Sequence, residues 1–176
     1  GALPGLKGLA AEHWYFVECE APMCWSGNDE GYILGATLEM LQTYRNHASV
    51  LFWSLGNESP WCPPYRLSHQ VLKVLDPSRP TTVEYPHGDN DQGTCDIAST
   101  HYPGPGGPDR YRKGARPTNY GEYCHLNAYN RFELSADPGV RDAWGRGFRR
   151  MWDAMFESQG TLGGSLWAAM DDTFHL

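Results

Sequence analysis

The sequence predicts an α/β protein with a parallel sheet, on three observations. Short apolar runs alternate with helix-length segments, no hairpin signal joins any two of the runs, and four of them lead into a carboxylate: Glu20, Glu58, Glu84 and Glu122. Such alternation implies parallel strands joined by right-handed crossovers. Carboxylates at strand ends favour a barrel with a shared mouth, because chemistry in α/β barrels is done at the C-terminal ends of the strands. An open doubly wound sheet would suit the strand count, yet no Gly-rich phosphate fingerprint follows any strand.

Taken in order, residues 3–13 are amphipathic and read as the last turns of a helix, and 13–20 read as a strand ending at Glu20. After a loop, 32–47 carries Leu34, Leu38, Leu41 and Tyr44 near helical spacing. Ser49-Val50-Leu51-Phe52-Trp53 is β-branched and aromatic and reads as a buried strand, closed by Ser54-Leu55-Gly56-Asn57-Glu58. A Pro-rich loop leads to a helix at 65–75, punctuated by Asp76-Pro77-Ser78-Arg79-Pro80. Strands are predicted at 81–85 and 96–102, followed by a Gly/Pro excursion at 103–108. Thr118-Asn119-Tyr120-Gly121-Glu122 repeats the pattern of a short strand delivering Gly-Glu. After an irregular stretch, Pro138 opens a helix over 139–158 with Val140, Trp144, Phe148, Met151, Trp152 and Met155 on one face. Residues 163–169 form the last strand.

The bulk numbers bound the function classes. At 176 residues the chain suits one domain, and is short of the ~250 residues of a complete (β/α)8 barrel. A net charge of −7 without a Lys/Arg run argues against nucleic acid as a partner, and no apolar run approaches the ~18 residues of a membrane span. Aromatics make up 13%, which fits sugar-stacking platforms and equally an aromatic core. Five Cys without a CxxC pair supply neither a disulfide framework nor a zinc knuckle; free thiols favour a reducing, cytoplasmic setting, with a periplasmic or secreted one as the alternative. The opening Gly1-Ala2-Leu3-Pro4 has neither Met nor a signal-peptide pattern, so a fragment of a longer protein is expected.

The stretch Arg45-Asn46-His47-Ala48-Ser49-Val50 with Trp53-Ser54-Leu55-Gly56-Asn57-Glu58-Ser59 resembles the acid/base signature of glycoside hydrolase family 2, the β-galactosidase/β-glucuronidase group. Asp76-Pro77-Ser78-Arg79-Pro80 is similar to the family's segment before its fifth strand. Gly121-Glu122-Tyr123-Cys124-His125 looks like its nucleophile strand, and Gly163-Gly164-Ser165-Leu166-Trp167 like its eighth. The resemblance runs from about Ala10 to Leu176. It implies a partial (β/α)8 TIM barrel covering roughly strands three to eight, a single N-terminally truncated catalytic domain over 1–176. The missing partners would then be the first two strands and the family's accessory domains.

The same resemblance implies a retaining exo-β-glycosidase, first a β-galactosidase, with β-glucuronidase or β-mannosidase next. A non-catalytic carbohydrate-binding homologue or an inactive fragment is the alternative of another class. Glu58 would be the general acid/base and Glu122 the nucleophile in a double displacement, two carboxylates flanking one glycosidic bond. Asn57 would bind the sugar 2-hydroxyl, unless it only forms the turn beside Gly56. Tyr102 would donate to the nucleophile, with His101 beside it. His125 would contact substrate hydroxyls or serve as a structural histidine, and Trp167 would stack on a sugar face or pack in the core. Glu20 would bind a hydroxyl or hold Arg79. No cofactor is implied: the family's magnesium segment corresponds to Ala21-Pro22-Met23-Cys24-Trp25, which lacks oxygen ligands. No Asn-x-Lys follows the nucleophile, only His125-Leu126-Asn127-Ala128, which favours a neutral sugar over a uronic acid.

Overall fold

The structure is a computed structural model that describes residues 17–24, 29–85, 91–104, 106–108, 114–124 and 136–167. The helix read over 3–13 and the start of the first strand lie outside the described residues. The chain forms two compact units, Gly1–Ser99 and Thr100–Leu176.

The first unit runs β1 (Val17–Glu20), α1 (Glu30–Tyr44), β2 (Val50–Ser54), α2 (Pro63–Leu75), β3 (Thr81–Thr82) and β4 (Ala98–Ser99). β1, β2 and β3 are parallel, with β2 in the middle. α1 starts where Asp29 accepts a hydrogen bond from the Tyr32 N–H, satisfying one of the free donors of the first turn. α2 starts with Pro63 and Pro64 in its first turn, where a missing N–H costs nothing. The two helices touch through a buried polar pair: Thr37 Oγ1 donates to the Ile33 carbonyl and lies 3.1 Å from Ser68 Oγ. Ile33, Met40 and Leu41 of α1, Tyr65 and Leu72 of α2, and Val50, Trp53 and Leu55 around β2 close the core. Leu51 is 45% exposed although side-chain alternation puts it on the same face as the buried Trp53, so that face of β2 is not covered along its whole length.

At the N-terminal end of β2 an arginine gathers loose chain ends. Arg79 donates from Nε to the Val50 carbonyl (2.7 Å), from Nη2 to the His47 carbonyl (3.1 Å) and from Nη1 to Asp76 Oδ2 (2.7 Å). Its guanidinium lies 5.4 Å from the Trp53 ring centroid, and Trp53 Nε1 donates to the same Asp76 oxygen. Burial alone would raise the Asp76 pKa, but hydrogen bonds from Ser78, Arg79 and Trp53, together with the Arg79 charge, hold it below its ordinary value.

β3 and β4 are shorter than the runs 81–85 and 96–102 predict. The backbone stays extended but pairs irregularly: Leu55 N–H donates to the Thr82 carbonyl, Glu84 N–H to Gly56, and Ile97 N–H to Thr81.

The second unit holds β5 (Thr118–Tyr123), α3 (Pro138–Glu157) and β6 (Thr161–Leu166). β5 is buried throughout and pairs in parallel with β6, Tyr120 opposite Gly164. A Cβ at Gly164 would lie 2.2 Å from the Tyr120 carbonyl oxygen, so only glycine allows this approach. Asp137 caps α3 by accepting from the Gly139 N–H (2.7 Å). The core here is Tyr120, Tyr123, Met151 and Met155, with Cys124 and Phe148 against it. Trp152, which the helical pattern places on the apolar face, is 51% exposed, and Phe156 is 84% exposed. No helix among the described residues is long and apolar enough to cross a membrane. None of the five cysteines is joined in a disulfide.

Candidate active site

In the first unit the chain leaves β2 through Leu55 and Gly56. A side chain at Gly56 would meet Tyr65 Oη at 2.7 Å, so the glycine is fixed by packing. Burial pushes the Tyr65 phenol up to about 12, which keeps that neighbour uncharged. The turn is tied back to the strand-β1 side: Ser59 Oγ donates to the Asn57 carbonyl (2.8 Å) and accepts from the Cys24 N–H (2.9 Å).

Two side chains stand on this turn. Asn57 is buried, and its Oδ1 accepts no hydrogen bond among the described residues. Glu58 is half-buried and has φ +42°, a left-handed backbone that a non-glycine residue adopts only where the surroundings enforce it.

The other two strand-end carboxylates of this unit are engaged by serines. Glu20 Oε1 accepts from Ser54 Oγ at 3.2 Å, and the almost fully buried Glu84 accepts from Ser99 Oγ. Holding Arg79, one of the two roles expected of Glu20, falls to Asp76. Arg79 works at Val50 and Glu20 pairs with Ser54, at opposite ends of a strand that rises about 3.3 Å per residue.

The second unit contains a carboxylate with dedicated partners. Glu122 sits inside β5 and is 7% exposed. Thr100 N–H donates to the Asn119 carbonyl (3.2 Å) and Tyr102 N–H to the Glu122 carbonyl (2.7 Å), so residues 100–102 run alongside β5. Tyr102 Oη donates to Glu122 Oε2, and His101 Nδ1 lies 3.7 Å from the same oxygen. Adjacent residues of a regular strand point to opposite faces. Tyr102 breaks that rule with φ +46°, which lets the phenol and the neighbouring imidazole reach one carboxylate oxygen together. Their rings meet edge to face, centroids 5.7 Å apart.

Trp167 follows β6, is half-buried, and donates its backbone N–H to the Tyr123 carbonyl (3.0 Å), one residue beyond Glu122. His125 and Trp25 lie outside the described residues.

Sequence reasoning overlooked Cys124, the residue after β5. It has φ +57°, its carbonyl accepts from Trp144 Nε1 (2.9 Å), and its Sγ lies 3.9 Å from Met151 Sδ. Burial pushes its thiol pKa up, so it stays protonated and inert as a nucleophile. The available signal was the helical face of α3, whose aromatics read as core alone.

Chemically, the second unit offers a buried carboxylate held in one orientation by a phenol donor and a nearby imidazole. The first offers a half-exposed carboxylate on a strained turn, beside an amide whose acceptor has no partner among the described residues. The buried arrangement suits attack by a fixed oxygen, and the half-exposed one suits exchange of a proton with solvent.

Comparison with known proteins agrees with this reading of the fold. The family model described as "Glycosyl hydrolases family 2, TIM barrel domain" matches residues 23–172. A β-galactosidase from Leuconostoc mesenteroides subsp. mesenteroides is 36% identical over 84 residues, 46% of this chain and 8% of that protein. An FMN-binding β-glucuronidase from Facaelibacterium prausnitzii L2-6 superposes with TM-score 0.68 at 17% identity, covering 94% of this chain and 30% of that one. A β-galacturonidase from Eisenbergiella tayi, bound to galacturonate, gives 0.65 at 16% identity, covering 84% and 31%. The chain thus spans less than a third of the length of these solved relatives, whose likeness shows the fold. With the family model covering most of its length, the chain belongs to glycosyl hydrolases family 2 and is a part of that family's α/β TIM barrel domain.

Proposed function

We propose that the protein carrying this chain is a retaining exo-β-glycosidase acting on a terminal β-galactoside. Glu122 is the nucleophile: it attacks the anomeric carbon, the glycosidic C–O bond breaks, and a glycosyl ester forms. Glu58 gives its proton to the departing oxygen and then takes one from the water that hydrolyses the ester, so configuration is retained. The observation that carries this reading is the pair of groups on Glu122. A phenol hydrogen bond to a carboxylate is worth about 1.5–3 kcal/mol and fixes the attacking oxygen before substrate arrives. Asn57, with its open Oδ1, is suited to accept from a sugar hydroxyl, a contact that strengthens as charge develops in the ring. Trp167 offers an indole face, and Glu20, His101 and His125 further polar contacts. The choice of galactose is supported by the Leuconostoc relative, named a β-galactosidase.

The test is hydrolysis of aryl β-galactoside, β-glucuronide and β-mannoside by the full polypeptide, with the anomer released first followed by NMR. The β-galactoside should be turned over fastest and yield the β-anomer first. Release of the α-anomer would mean single displacement, for which the carboxyls must stand roughly 6.5–9.5 Å apart instead of about 5–5.5 Å. Preference for the glucuronide would overturn the sugar assignment alone.

A further inference from the structure

A cavity of about 300 Å³ lies in the second unit, walled by Tyr102, Cys124, Trp144, Phe148 and Met151, with Ala143 and Gly147 at the small positions of the α3 face. We propose that it receives an aromatic leaving group of the glycoside, so that Trp144, Phe148 and Ala143 set the preference for what is attached to the sugar; this rests on the hydrolase reading above.

Four observations point to that occupant. The first is the chemistry of the wall, where the polar side-chain atoms are already engaged within the protein. The Tyr102 hydroxyl donates to Glu122, Trp144 Nε1 donates to the Cys124 carbonyl, and the Cys124 thiol lies against Met151 Sδ. A sugar needs its hydroxyls paired, and such a wall leaves them unpaired at about 1–3 kcal/mol each, whereas an apolar ring loses nothing.

The second is shape. Trp144 and Phe148 stack with their planes 2° apart and centroids 5.5 Å apart, and Tyr123 and Phe148 are 9° apart, which aligns flat aromatic groups along this wall. Trp144, Phe148 and Met151 recur at helical spacing, so one face of α3 presents them together, and the small Ala143 and Gly147 leave the space between. The third is size, since an apolar cavity of about 150 Å³ takes one benzene ring, and this one has room for two fused rings.

The fourth is continuity. Tyr102 belongs both to the cavity wall and to the partners of Glu122, so a group in the cavity lies one side chain away from the attacking carboxylate. The left-handed backbone at Tyr102 and Cys124 turns both residues out of strand geometry at this point.

The experiment uses the full polypeptide and methyl, phenyl and 2-naphthyl β-glycosides, with calorimetric binding of free 2-naphthol as a readout that needs no turnover. Ala143 is exposed, so Ala143→Leu narrows the cavity without disturbing the core. It should lower kcat/KM for the naphthyl substrate about tenfold or more relative to the methyl one, and remove 2-naphthol binding. An equal fall on all three substrates, or naphthol binding that Ala143→Leu leaves unchanged, would overturn the proposal. If Ala143→Leu fails to fold by circular dichroism, Trp144→Ala takes its place with the same two outcomes. Naphthol binding lost in the variant, with no glycoside hydrolysed by the parent, would sink the hydrolase reading and leave the cavity an aromatic site. Turnover without naphthol binding would do the reverse.

Discussion

β2 and β5 both lead through a glycine to a glutamate, yet the two carboxylates end in different circumstances. Glu58 stands beyond the end of its strand, half-exposed, on a turn with left-handed backbone. Glu122 is inside its strand, buried, and accepts from a phenol with an imidazole nearby. The difference comes from the residues around them: Gly56 is pressed against Tyr65 and the chain turns away, whereas β5 carries on alongside β6 across a register shift between Tyr120 and Tyr123. A carboxylate that must gain and lose a proton in each cycle benefits from contact with water, and one that must attack benefits from being held. The two strand ends are suited to two roles for that reason.

The sharpest way to break this comparison is Glu122→Gln. Loss of the attacking oxygen should lower kcat on any aryl β-glycoside on the order of 10⁴-fold or more, with the fold retained by circular dichroism. Steady-state kinetics that show less than a tenfold fall would remove Glu122 as nucleophile.

Glu58→Ala should separate substrates by leaving group. For poor leaving groups kcat/KM should drop by about 10²–10⁴, because they depart only when protonated, while an activated aryl glycoside should lose far less in the first step. Equal losses on both would erase the division of labour between the strand ends.

The smallest expected effect sharpens the comparison from the other end of β2. Asp76→Asn leaves Arg79 without its buried partner and should destabilise the protein by about 3 kcal/mol at pH 7, with kcat of the folded enzyme unchanged. Because the folded-state pKa of Asp76 lies below its unfolded value of about 3.9, its contribution is complete above that pH and fades as pH falls through the folded value. Denaturant titrations at pH 7 and pH 3 should therefore show the gap between parent and variant narrowing in acid. A gap that is constant with pH would mean the ion pair contributes nothing.

Much of the fold was legible because the local signals agreed with the packing. The run Ser49–Trp53 became β2, Pro138 opened α3 as its missing N–H allows, and Thr118–Glu122 lies within β5. The shortness of β3 and β4 was not legible, since the β-branched residues around Thr81 and Ile97 fix an extended backbone but not the regularity of its pairing. In the candidate site, spacing and resemblance single out Glu58 and Glu122 as the proposed pair. The joint reach of His101 and Tyr102 to one oxygen was not legible, because sequence alternation sends them to opposite faces and only the positive φ at Tyr102 brings them together. Trp144 and Phe148 carried a helical period that core and cavity wall share, and nothing in the period distinguishes the two.

The left-handed backbone at Glu58 bears on how this protein can be altered. A residue without a side chain would relax that turn, so evolution for heat resistance with no check on turnover would drift towards Glu58→Gly and discard the proposed proton donor. Robustness and chemistry pull against each other at this one peptide unit, and any hardened descendant has to be selected for both at once.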